Sequence, residues 1–107
     1  MKIVEIEERS PLLLEQLLEV WESSVRATHL FLSEGEIGDI KKYVPQALLE
    51  IPRLVVAQSE DRLPAGFMGI AGQHLEMLFI SAQERGKGLG RELLQYGIER
   101  YSVNDLA

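Results

Sequence analysis

The sequence predicts an α/β domain. Three observations carry that expectation: an alternating N-terminal stretch followed by a long amphipathic pattern, a set of compact apolar runs joined by turn residues between positions 54 and 80, and a last amphipathic pattern that opens on a glycine-rich loop. With 107 residues and no repeat, low-complexity stretch or composition shift, the chain has room for one domain with a modest core.

Lys2 to Glu7 alternates and reads as a short opening strand. Ser10 is placed to cap a helix that starts at Pro11, a position proline favours because it has no N–H to lose there. Leu13, Leu14, Leu17, Leu18, Trp21 and Val25 then form one wide apolar stripe, which marks a helix that covers a sheet. Ser33 with Glu36 makes a capping box for a second helix, and Pro45 divides that region into two short helical pieces before Ile51. Leu54 to Ser59 and Gly66 to Ala71 flank the turn EDRLP and predict a hairpin. Leu75 to Ile80 is the next strand, and SAQ leads from it into the glycine loop. Leu89, Leu93, Leu94, Gly97, Ile98 and Tyr101 share one helical stripe, so the chain closes on a helix. The expected order is β-α-α-β-β-β-α.

Composition removes several functions. There is no cysteine, which excludes disulfides, thiolate metal sites and cysteine nucleophiles, and two histidines are too few for a metal centre. The N-terminus has no apolar export core and no run approaches the ~20 apolar residues that span a bilayer, so the expected location is cytoplasmic, away from membranes. A net charge of −6 disfavours nucleic acid and sets off the local positive patch at Arg85, Lys87 and Arg91.

That patch lies in the stretch ERGKGLGRELL, where Gly86, Gly88 and Gly90 alternate with charge just before the last helix. Glycines permit a tight turn with bare amides, and the first N–H groups of a helix have no partner within it. Cations at the positive end of a helix typically cost ~0.3–1 kcal/mol each, so three of them imply an anion that offsets the cost. The combination describes a phosphate or pyrophosphate site. A Walker loop is excluded because Lys87 precedes Gly88 rather than Ser or Thr, and a dinucleotide fingerprint is poorly met because the spacing is G-x-G-x-G and the sequence ends before a second parallel strand could present the acidic residue that the fingerprint needs ~20 positions on.

The stretch resembles the cofactor loop of the GNAT superfamily of N-acetyltransferases, whose pattern Arg/Gln-x-x-Gly-x-Gly/Ala is met by Arg85, Gly88 and Gly90. The order of elements resembles the opening part of the same fold, a mixed sheet with helices on it, so the likeness covers the whole chain as a single domain over residues 1–107. The resemblance implies acetyl-CoA as acyl donor, held by Arg85, Gly86, Lys87, Gly88, Leu89, Gly90 and Arg91 and by the main chain of Leu78, Phe79 and Ile80. It implies an amine of a small molecule or peptide as acceptor, with His29 and Phe31 lining its pocket, and no metal. Glu76, a carboxylate amid Leu75, Met77, Leu78 and Phe79, is the candidate base; its plain alternative is a solvated strand-end carboxylate. His74 lies beside that strand, and Trp21 on the apolar stripe reads as core.

The family continues with a strand, a helix carrying an Asn-x-x-Ala-x-x-Phe-Tyr-like motif, and a hairpin, whereas this sequence ends at Asn104-Asp105-Leu106-Ala107, which look like the first steps of that strand. The family's tyrosine, proposed to protonate the departing thiolate, has no counterpart, and Tyr96 and Tyr101 lie on the cofactor-loop helix instead. Two readings follow for the polypeptide: an acetyl-CoA-dependent N-acetyltransferase with little or no transfer in truncated form, or a non-catalytic acyl-CoA-binding or assembly module. An open edge on the Leu75 to Ile80 strand also implies self-association.

Overall fold

A computed structural model describes residues 1–28 and 31–106. The elements run β1 (Lys2–Ile6), α1 (Pro11–Thr28), α2 (Glu34–Lys41), α3 (Val44–Glu50), β2 (Arg53–Gln58), β3 (Pro64–Ala71), β4 (His74–Ile80), a single 3-10 turn at Ala82–Glu84, α4 (Leu89–Tyr101) and β5 (Asp105–Leu106). The strands form one sheet in the order β1-β2-β3-β4-β5, antiparallel up to β4, with β5 parallel to β4. The mixed sheet expected from the sequence is therefore present, and its parallel pairing comes from the last residues of the chain.

The caps explain the helix starts. Ser10 Oγ accepts the Leu13 N–H at 3.2 Å, and Ser33 and Glu36 exchange both bonds of the capping box, at 3.1 and 3.0 Å. Pro45 falls in the first turn of α3. Proline has no N–H to donate to a carbonyl one turn earlier yet fits a helix start, so it divides α2 from α3 instead of kinking a single helix.

The sheet separates two cores. On one face α1, α2 and α3 bury Leu17, Val20, Trp21, Val25, Ile37 and Leu48 against Leu54, Val56 and Phe67. On the other, α4 brings Leu89 and Leu93 onto Val55, Ala57, Met68 and Ile70. Alternate residues of β2 enter opposite cores, which is why Leu54 to Ala57 is a continuous apolar run rather than an alternating one.

β4 contains a bulge. Ile70 pairs with Leu75 and its neighbour Gly69 pairs with Met77, so Glu76 is an extra residue in the ladder. Strict alternation would place Leu75 with Met77 and Phe79. The bulge moves it to the α4 side with Leu78 and Ile80, while Met77 and Phe79 pack toward α1.

Candidate functional site

The glycine loop is tied to the body of the fold before it turns. The Ser81 N–H donates to the Ala65 carbonyl at 2.9 Å, the Ala82 N–H to Ser23 Oγ on α1 at 2.8 Å, and Arg85 Nη1 to the Ala27 carbonyl near the end of α1 at 3.3 Å. Arg85 thus places a cation at a helix C-terminus, the favourable end of its dipole. Ser23 gave no sequence signal, because its role depends on a residue 59 positions away.

Gly86 and Gly88 have φ of +79° and +82°. Space for a side chain exists at both, so backbone conformation is what calls for glycine. Gly88 is the N-cap of α4 and offers no side chain to cap it. Glu92 N–H to the Gly88 carbonyl, at 3.0 Å, opens the helical ladder. The amides of Leu89, Gly90 and Arg91 precede that bond and remain donors for a ligand. Gly90 has ordinary φ, and a Cβ there would come no closer than 3.7 Å to Ile80. Lys87 lies 3.5 Å from Glu84, while Arg91 is exposed and has no ion pair among the described residues. Bare amides, the positive end of α4 and exposed cations make this loop fit a pyrophosphate-bearing ligand.

The strand that feeds the loop is paired at one end. β5 meets β4 at His74 and Leu75; from Glu76 to Ile80 the outer edge of β4 has no strand partner among the described residues. Leu78, Phe79 and Ile80 turn their side chains into the two cores, so it is main-chain groups that this edge presents. Glu76 is exposed at the bulge, 3.6 Å from His74 Nε2, and His74 Nδ1 lies 2.8 Å from Asp105 on β5.

A third feature lies on the α1 side of the same strand. Trp21, Val25, Phe31, Leu32, Ile40 and Phe79 line an apolar pocket of about 330 Å³. Trp21 is buried in its floor, and Phe31 is 80% exposed at its lip. His29 lies outside the described residues. Beside the pocket, Arg26 bonds Glu22 and Glu34 at 2.8 Å, and Lys41 pairs with Glu22. Bonding to Lys41 and then Arg26 holds the Glu22 carboxyl below the usual carboxylate range, and Arg26 does the same for Glu34. Among the described residues no cluster of acidic and histidine side chains could hold a metal, and no helix is long and apolar enough to cross a membrane.

A mixed sheet whose fourth strand opens into a glycine loop and helix defines the GNAT class, and comparison with known proteins agrees: residues 40–107 match the model of the acetyltransferase (GNAT) domain. The chain belongs to the GNAT acetyltransferase family. Among its relatives are the peptidyl-lysine N-acetyltransferases YjaB of Salmonella typhimurium and Escherichia coli, 37% and 39% identical over 84 residues. Those matches cover 78% of this chain but only 57% and 56% of the relatives, so the chain spans little more than half their length. The solution structure of apo YjaB from Escherichia coli superposes with a TM-score of 0.80 at 37% identity, over 95% of this chain and 68% of that one. The PaiA N-acetyltransferase of Thermoplasma acidophilum, solved in complex with coenzyme A, shares the fold at a TM-score of 0.75 and 23% identity, over 95% and 73% of the two chains.

Proposed function

We propose that this chain carries the donor half of an acetyl-CoA-dependent N-acetyltransferase that acts on the side-chain amine of lysine in a peptide. The observation that carries the reading is the loop itself. Positive φ at Gly86 and Gly88 shapes the turn that leads into α4, whose first amides have no helical acceptor, and this turn follows a strand edge without a strand partner among the described residues. The family and the relatives' naming as peptidyl-lysine N-acetyltransferases support the choice of acceptor.

In this reading the amides from Gly86 to Arg91 hold the donor's pyrophosphate, with Lys87 and Arg91 balancing its charge. The main chain of Leu78 to Ile80 binds the donor's amide-bearing arm as a neighbouring strand would. When bound, acetyl-CoA supplies a thioester whose carbonyl is activated for attack. A lysine amine, with a pKa of ~10.4, is mostly protonated at neutral pH and must lose a proton before its nitrogen attacks. Glu76 takes that proton, and His74, between Glu76 and Asp105, positions it. The C–N bond forms as the C–S bond breaks, and the second proton released by the attacking nitrogen passes to the departing sulfur, so that CoA leaves as the thiol. No observation favours the non-catalytic module.

The reaction belongs in the cytoplasm. The 107-residue polypeptide self-associates through the Glu76 to Ile80 edge, which light scattering over a dilution series checks: a compact monomer at micromolar concentration overturns it. The catalytic assignment is tested with Glu76→Gln in a polypeptide of the relatives' full length. The rate should fall about 100-fold at neutral pH, and the deficit should shrink as pH approaches that of the free amine. An unchanged profile would leave Glu76 a solvated carboxylate.

A further inference from the structure

The pocket between α1, α2 and β4 is too apolar to hold an amine and lies in surroundings that would attract one. All six lining side chains are apolar or aromatic. Trp21 and Val25 are buried in it, while Phe31 and Ile40, at 80% and 43% exposure, form an uncovered lip. The two helices that bear Trp21, Val25 and Ile40 have the opposite character on their outer faces. From residue 11 to 42 the chain carries six carboxylates, Glu15, Glu19, Glu22, Glu34, Glu36 and Asp39, against Arg26, Lys41 and Lys42. Glu22, Glu34 and Asp39 are paired with Arg26, Lys41 and Lys42, so the exposed Glu15, Glu19 and Glu36 carry the unbalanced negative charge. An occupant that suits both features has a positive charge and, a residue away, a bulky apolar group.

We propose that the pocket selects peptide acceptors whose target lysine is followed by a large aliphatic or aromatic residue, and that this neighbour's side chain seats between Phe31 and Ile40 over Trp21. The proposal rests on the lysine-acetylating reading and adds to it a sequence preference that the donor loop does not set. Phe79 connects the two: its side chain lines the pocket, and its main chain lies on the open edge that leads to the loop. A neighbour anchored in the pocket therefore fixes the lysine stem beside that edge. The carboxylates of α1 and α2 act at longer range, by raising the encounter rate with a cationic peptide, and their contribution fades with salt.

The experiment titrates three blocked peptides, Gly-Ser-Lys-Leu-Gly, Gly-Ser-Lys-Ser-Gly and Gly-Ser-Lys-Glu-Gly, into the ¹⁵N-labelled 107-residue chain. It follows the Trp21 indole N–H and the Phe31 amide, with a parallel titration of CoA read at the loop amides. The leucine peptide should bind at least ~10-fold more tightly than the serine peptide, equivalent to about 1.4 kcal/mol, and the glutamate peptide most weakly. Ile40→Ser and Phe31→Ser, both at exposed positions, should each bring the leucine peptide to the level of the serine peptide and leave the CoA titration unchanged. Equal binding of the leucine and serine peptides overturns the proposal, as does a preference that survives both substitutions. So does a shift of the pocket signals on dilution that Ile40→Ser and Phe31→Ser abolish, which would make a second copy of the chain, seated in the pocket rather than on the β4 edge, the occupant. If CoA still moves the loop amides in any of these cases, only the pocket assignment falls; if CoA moves nothing, the acetyltransferase reading falls with it.

Discussion

The two ends of β4 are built differently. At His74 and Leu75 the strand is paired on both sides, by β3 and by β5, and its polar contact to β5 is the His74–Asp105 bond. From Met77 to Ile80 only β3 holds it, its side chains enter both cores, and its outer main-chain groups have no strand partner among the described residues. The bulge at Glu76 marks the change. Two neighbours that start side by side need only diverge to leave a slot lined by main-chain donors and acceptors, which binds an extended, amide-bearing ligand without any particular side chain. The lesson is that the binding edge depends on the closed end and the cores beneath it, so the open end can be damaged from either direction.

The largest expected effect comes from beneath. Phe67 is fully buried and its ring lies 5.6 Å from that of Phe79, behind the open edge. Phe67→Ala should cost ~3–5 kcal/mol in urea unfolding. A loss below about 1 kcal/mol would mean that the open end does not lean on this core.

Gly66→Ala acts on the open end alone. An added Cβ would lie 2.7 Å from Ile80 Cδ1 and 3.1 Å from the Phe79 carbonyl oxygen. The isoleucine tip can rotate, but the carbonyl is main chain on the β3 side of β4, so relieving the contact must shift the strand whose far side is the open edge. The change should cost ~1–3 kcal/mol of stability and weaken CoA binding measured by calorimetry, whereas a change on the closed strand end should leave CoA binding alone.

The smallest effect concerns the end of α4 opposite the loop. Tyr101 donates to Glu5 at 2.6 Å, and Arg53 contacts the same carboxylate at 3.1 Å while lying over the Tyr101 ring. The Tyr101 bond, followed by Arg53, holds the Glu5 carboxyl below the usual carboxylate range, and burial together with Glu5 pushes the Tyr101 phenol up. Because the folded-state value of Glu5 is depressed, its contribution is present above the unfolded-state pKa and is lost as pH falls through the folded one. Glu5 is partly solvated, so Glu5→Gln should cost less than about 1 kcal/mol at pH 7. Thermal melts should show the wild type and the variant converging as the medium becomes acidic.

Much of this architecture could be read from the residues. The helix caps, the break at Pro45, the hairpin and the closing helix followed from local rules, because each depends on residues within a few positions of one another. The loop was legible for the same reason, with glycines and a helix start adjacent in sequence. What escaped were features set by distant partners. The bulge at Glu76 exists only in register with β3, so the faces of β4 could not be read from alternation. Val20, off the apolar stripe expected for α1, is buried because α1 packs on a sheet wide enough to cover it. Ile98 was expected on the buried face of α4 and is 44% exposed, since Leu89, Leu93 and Gly97 form a narrow contact and it falls to one side. Arg85 was read as an anion ligand from its place in the loop, and its contact with the Ala27 carbonyl depends on how α1 packs.

The central claim is that the loop between β4 and α4 binds the pyrophosphate of CoA through its own amides. A ¹H–¹⁵N titration of the chain with CoA, repeated on Gly88→Glu, tests it most directly. The account predicts that the amides from Gly86 to Arg91 move first and furthest. It also predicts that Gly88→Glu, which puts a carboxylate at the N-cap and a side chain at φ +82°, weakens binding by at least ~30-fold, about 2 kcal/mol. Undiminished CoA affinity in the variant, or shifts centred anywhere other than this loop, would contradict it.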